Sequence, residues 1–125
     1  MKKYVCLIAA ERLLDQMPPD DAARHMEAYR EFTEGIRNSG QYLGCHRLEP
    51  PAAAITVRTR NGKVLTTDGP FVETKEQLGG FFVIAAKDMN EAIQVASRIP
   101  GARLGCVEVR PIAEDSQTLQ ALGLT

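Results

Sequence analysis

An α+β fold built on an antiparallel sheet is predicted by three observations. Residues 4–10 and 81–86 are apolar on both alternating faces, the pattern of strands covered from two sides. Each stretch precedes a segment whose apolar residues recur at helical spacing. Between the two halves lies Asn61-Gly62 with alternating residues on either side, the strongest short hairpin signal.

The elements follow in order. In residues 4–10, Tyr4, Cys6 and Ile8 alternate with Val5, Leu7 and Ala9. After the turn-prone Met17-Pro18-Pro19, Asp20 and Asp21 place negative charge at a helix N-terminus, where it offsets the dipole. That helix runs to about Ser39, with Gly40 suited to its C-terminal cap. Its inward stripe is Ala22, Met26, Tyr29, Thr33 and Ile36, with Phe32 at the edge, while Arg24, Glu27, Glu31 and Glu34 populate the outer side. Residues 41–48 read as a second strand, ended by Glu49-Pro50-Pro51. Residues 54–60 and 63–67 form the hairpin, in which Ile55, Val57 and Thr59 alternate with Thr56, Arg58 and Arg60 and leave one face wet. After the apolar 81–86 run, Asp88 and Glu91 form a capping-box-like start. The second helix carries Ala92, Ile93, Val95, Ala96 and Ile99 inward and stops at Pro100-Gly101. Residues 104–112 alternate again, and the tail from Glu114, with Leu119, Leu122 and Leu124, reads as one short helix.

Strand, helix, strand, inserted hairpin, strand, helix, strand is the order of two split βαβ units, a ferredoxin-like arrangement with the first strand of each unit at the centre of the sheet. The domain is expected over residues 1–113, with 114–125 as a tail. Two helices cover one sheet face, yet the central strands are apolar on both. An open face of that kind exceeds what soluble monomers usually leave in water, about 300–600 Å². A second copy packed face to face, about 10 Å away, is the simplest cover. The expectation is therefore a homodimer, a dimeric α+β barrel, with the tail folded across the face as the rival.

Composition narrows the function classes. With 15 Lys+Arg against 16 Asp+Glu and no basic run, the electrostatic footprint for nucleic acid or an anionic membrane is missing. Cys6, Cys45 and Cys106 are widely separated, without zinc or redox spacing, and read as small core residues in apolar strands. The apolar run at the N-terminus is too short for a membrane span and no cleavage site follows, so a cytoplasmic location is the default. His25 and His46 have no local ligand spacing, so no metal is expected. Neither the phosphate-binding loop nor the dinucleotide glycine spacing occurs, so no cofactor is expected.

The segment TTDGPFVETKEQLGG, residues 66–80, places a rigid acidic turn and several charges directly before the apolar 81–86 run. Together with KKYVCLI near the start and GCVEVRPI at residues 105–112, the run DGPFVETKEQLGGFFVI, residues 68–84, resembles the DGPF branch of the YCII-related family over about residues 2–113. The resemblance implies a dimeric α+β barrel, a bacterial source and, in some relatives, a link to extracytoplasmic-function sigma factors. It implies no defined activity. Relatives in the broader family carry a helix His and an Asp before a Pro, taken as an acid–base pair. The His matches His25 in RHMEAYREF, but Ile99 precedes Pro100 here, so Asp68 would have to supply the acid.

His25 lies within the inward arc of its helix. It is read either as a packed side chain or as a proton carrier whose tautomer a carboxylate fixes. Asp68 is read as an Asx-turn acceptor before Gly69-Pro70, or as that carboxylate. Glu73 and Lys75 point the same way if extended, as a solvated pair or as ligand-binding anchors at a pocket mouth. Gly79-Gly80 removes bulk where a ligand or a partner subunit must come close, and His46 is placed on an edge-strand surface. Two functions fit: a small-molecule site near the dimer seam with His25 and Asp68 as acid–base residues, or a non-catalytic interaction or sensor module whose sigma-factor partner rests on the resemblance alone.

Overall fold

The computed structural model describes residues 1–125. The chain runs through β1 (Lys2–Ala10), α1 (Pro19–Asn38), β2 (Tyr42–Arg47), β3 (Ile55–Arg60), β4 (Lys63–Asp68), β5 (Gln77–Ala86), α2 (Met89–Ser97), β6 (Gly105–Pro111) and α3 (Ser116–Ala121). One antiparallel sheet has the order β2-β5-β1-β6, and β3-β4 form a separate two-stranded ribbon. The two doubly apolar strands are thus the central pair, as expected, in an α+β arrangement compatible with a ferredoxin-like domain.

Side-chain alternation explains the layering. Tyr4 and Cys6 of β1 and Phe82, Ile84 and Ala86 of β5 point to one face, where Ile36 of α1 and Ala92, Val95, Ala96 and Ile99 close over them. Burial drives this packing at roughly 1.5–3 kcal/mol for each large aliphatic or aromatic side chain. The Phe82 ring organises the α1 side: Phe32 meets it edge-on at 5.2 Å and Tyr29 lies parallel at 6.2 Å. α1 begins at Pro19 with Asp20 and Asp21 in its first turn and Arg37 in its last, each complementing the dipole. α2 is capped by the Asp88 carboxylate, which accepts from the Glu91 N–H at 2.9 Å. The Glu91 side chain accepts from the Lys87 N–H, one residue outside the usual box.

Four expectations are corrected. β5 begins at Gln77 and takes in Gly79-Gly80, so the glycines lie inside the strand rather than ahead of it. Their close neighbours belong to the same chain: a Cβ on Gly80 would sit 2.6 Å from the His46 carbonyl oxygen, and one on Gly79 would sit 2.7 Å from Leu13 Cδ2. Met26 and Ile93 are exposed, because each lies at the flank of its helix stripe. Cys6 is buried and its thiol is pushed up to about 11 by burial, but Cys106 is exposed, on the face of edge strand β6 opposite Val107 and Val109.

On the sheet face away from the helices, Val5, Leu7, Phe81 and Val83 are half-buried. The tail does not shield its own leucines: Leu122 and Leu124 are exposed, although Glu114 pairs with Lys3 at 3.1 Å. The β3-β4 ribbon turns at Asn61-Gly62, both at positive φ as the tight hairpin requires.

The glycine geometry separates two similar substitutions. Gly80→Ala drives a methyl into the β2 backbone and is expected to cost about 1–3 kcal/mol. Gly79→Ala displaces mainly the end of the Leu13 side chain and is expected to cost about 1 kcal/mol or less. Denaturant titration of the two variants checks the contrast; equal costs would refute the assigned register.

Candidate functional site

A cavity of about 680 Å³ opens between α1, the edge strand β2 and the ends of β1 and β5. Helical spacing brings His25, Tyr29 and Thr33 onto one wall, with Met26, Arg30 and Arg37 beside them. Ile8 and Ala10 of β1, Phe82 of β5, and Cys45 and Leu48 at β2 make the opposite side. Leu13, Leu14 and Met17, from the short turn after β1, close one end.

The wall is held by a chain of specific contacts. The Gly101 N–H donates to the Tyr29 hydroxyl at 3.1 Å, tying α1 to the Pro100–Arg103 turn. Burial raises the Tyr29 phenol above its usual range, and the Gly101 bond offsets part of that rise. Thr33 Oγ1 donates to the Tyr29 carbonyl at 2.7 Å. The His25 ring stands perpendicular to Tyr29 with centroids 4.9 Å apart. Burial lowers the His25 pKa, and the nearby Arg103 charge lowers it further. At neutral pH this imidazole is uncharged and competent to accept a proton.

The charges around the cavity are unbalanced. Arg30 is tied to Glu27 at 2.7 Å and to Glu34 at 3.0 Å. Arg12, Arg37 and Arg47 also line the cavity, and none of them pairs with a carboxylate. Arg37 lies over the Tyr42 ring at 5.0 Å. Asp15 is the one lining acid outside the Arg30 network.

Of the four residues singled out in the sequence, His25 alone lines this cavity. Asp68 ends β4, exposed, opposite Ile55. No N–H reaches its carboxylate, so the expected Asx turn does not form; the Gly69 N–H donates to the Ala54 carbonyl at 2.7 Å instead. Thr56 Oγ1 adds a bond to the Gly69 carbonyl at 2.8 Å, so backbone and threonine fasten this turn. Glu73 and Lys75 are exposed and make no ion pair. Within one chain, residues 69–76 do not reach the cavity. His46 is exposed on the edge strand as expected, but it also lines the cavity. The arginines were not visible as a group in the sequence, because strand pairing and the α1 position bring distant positions together.

The sequence model of the YCII-related domain matches residues 2–115. A protein of Rhizobium meliloti (strain 1021), described as uncharacterized, is 45% identical over 69 residues, which are 54% of this chain and 56% of that protein. The match thus spans little more than half the length of that curated relative.

Since the folded His25 pKa lies below the ordinary 6.5, protons bind the unfolded chain more readily than the folded one. The stability present above pH 6.5 is therefore expected to fall as pH drops from 6.5 through the lowered folded value. His25→Gln should flatten that part of the profile, as read from Tm against pH. An unchanged slope would show that the imidazole is not held neutral by its surroundings.

Proposed function

This chain belongs to the YCII-related family, and on that footing we propose that it binds a small molecule in the α1–sheet cavity, with His25 as its proton-exchanging residue. The observation that carries the reading is the His25 imidazole on the wall of an otherwise largely apolar hollow, where burial lowers its pKa. Its volume of about 680 Å³ matches small-ligand pockets, which span roughly 300–1,000 Å³. His25 takes a proton from the bound molecule or returns one, and the Tyr29 edge fixes the ring plane. Asp68, Glu73 and Lys75 belong to this site only if a second copy supplies them, since their own chain holds them away from its cavity.

The test is a thermal-shift screen of small molecules against the wild type, His25→Gln, Asp68→Asn and the cavity-filling Met26→Trp. Ligands that stabilise the wild type are expected to lose most of their shift in Met26→Trp and part of it in His25→Gln. Shifts unchanged in every variant would put the ligand elsewhere and end this reading.

The homodimer is proposed on separate grounds. Ile55, Val57 and Val64 share one ribbon face and are 63%, 61% and 68% exposed, with Phe71 at 79% just beyond. An isolated two-stranded ribbon is marginal in water. A second copy offers it an apolar surface, the half-buried Val5, Leu7, Phe81 and Val83, and Asp68 travels on the same ribbon face as Ile55. The interaction-module reading draws on the same exposed ribbon.

Light scattering is expected to give twice the 13.7 kDa chain mass, and Val57→Asp with Val64→Asp should release monomers of unchanged circular dichroism. A wild type that stays single at high concentration would overturn the dimer. A sigma factor co-purifying with wild type and His25→Gln alike, but not with the ribbon variant, would favour the interaction module.

A further inference from the structure

We infer that the cavity takes an elongated organic monoanion, its carboxylate held between Arg12 and Arg47 and its apolar body lying along α1. The inference rests on the reading that this cavity is a ligand site, and it adds the chemical class. The two arginines come from the ends of the strands that flank β5 on either side. Arg47 pairs with Gly80 at the end of β2, and Arg12 lies two residues beyond Ala10, which pairs with Gln77 at the start of β5. The backbone segments carrying them flank the first residues of β5: the Leu48 N–H donates to the Gly79 carbonyl at 2.8 Å, and the Gln77 side chain donates to the Glu11 carbonyl at 3.1 Å. Both arginines line the cavity.

Neither guanidinium has an acid partner in the fold. Arg12 spends its Nε–H on the Gln16 carbonyl at 3.1 Å, which orients the group and leaves both Nη nitrogens free. A planar fork of this kind matches a carboxylate in two-pronged fashion, which an ammonium does not. With Arg30 neutralised by Glu27 and Glu34, the lining carries Arg12, Arg37 and Arg47 against Asp15, an excess of positive charge. A cleft lined with an excess of one sign of charge draws in the opposite sign.

The remaining lining specifies the rest of the ligand. Ile8, Met26, Tyr29, Leu48 and Phe82 offer hydrocarbon and ring surface with few hydrogen-bonding groups. The groove follows α1 from His25 to Arg37, which at 1.5 Å per residue is about 18 Å. A compact, many-hydroxyl anion such as a sugar phosphate would leave that surface uncovered and its own hydroxyls unpaired. A medium-chain or aromatic monocarboxylate satisfies both ends.

Calorimetric titration with decanoate, decan-1-ol and decylammonium separates charge from hydrocarbon. Decanoate is expected to bind the 125-residue chain at least tenfold more tightly than the alcohol, and decylammonium more weakly than either. Arg12→Gln with Arg47→Gln should cut decanoate affinity at least tenfold and leave the alcohol unchanged, and Arg47→Lys should fall between, since it keeps charge without the fork. Both arginines are exposed, so folding of these variants is checked by an unchanged denaturation midpoint. If the alcohol equals decanoate, or the arginine variants lose nothing, the anion class fails while the cavity survives as a binding site. If no probe binds, or binding persists undiminished in Met26→Trp, the inference and the proposed function fall together.

Discussion

The antiparallel pairing of β1 with β5 governs the rest of the molecule. It sets Tyr4 opposite Ile84 and Cys6 opposite Phe82, so that one continuous apolar surface lies beneath both helices. Once that surface exists, α1 and α2 bury their stripes on it, and the two remaining strands take the edges by pairing outward. No charged side chain is buried anywhere. The cohesion is therefore hydrocarbon packing over a backbone hydrogen-bond ladder, and ionic contacts are confined to surfaces where solvent keeps them weak.

The same pairing makes the cavity. β2 attaches to β5 at the sheet edge, and the bare Gly80 lets the β2 backbone come close at the point where the hollow begins. α1 lies above this edge, and its residues from His25 to Arg37 look into the space between helix and strand. Tyr29 belongs to both regions, stacked on the core ring of Phe82 and touching His25 in the cavity. The rigid interior thus supports the imidazole directly. Its protonation behaviour answers first to burial at this wall and then to Arg103 on a separate turn.

Much of this was legible in the sequence. Double-faced apolar runs marked the central strands, Asn61-Gly62 marked the ribbon, and Asp88 with Glu91 marked the start of α2. These signals are local, so periodicity and turn chemistry suffice to read them. The start of β5 was not legible, because Gln77-Leu78-Gly79-Gly80 has the composition of a loop and becomes strand only through its neighbours on both sides. Met26 and Ile93 show the limit of helical periodicity, which gives a direction but not the extent of burial around it. His25 could be singled out from its helix face. Its expected acid partner could not be tested by spacing, and the ribbon carries Asp68 away from the cavity of its own chain. The arginines came into view only with the cavity that both of them line, since positions 12 and 47 share no motif.

Cys106 has a consequence for how the molecule ages. Its sulfur is open to solvent, yet local desolvation, a hydrogen bond with Glu76 and the negative charges of Glu76 and Glu108 all push the thiol pKa upward. Oxidants and alkylating agents react with the thiolate, so a thiol kept protonated is sluggish toward both. The acidic residues beside this edge strand thereby lower the thiolate fraction of an accessible cysteine.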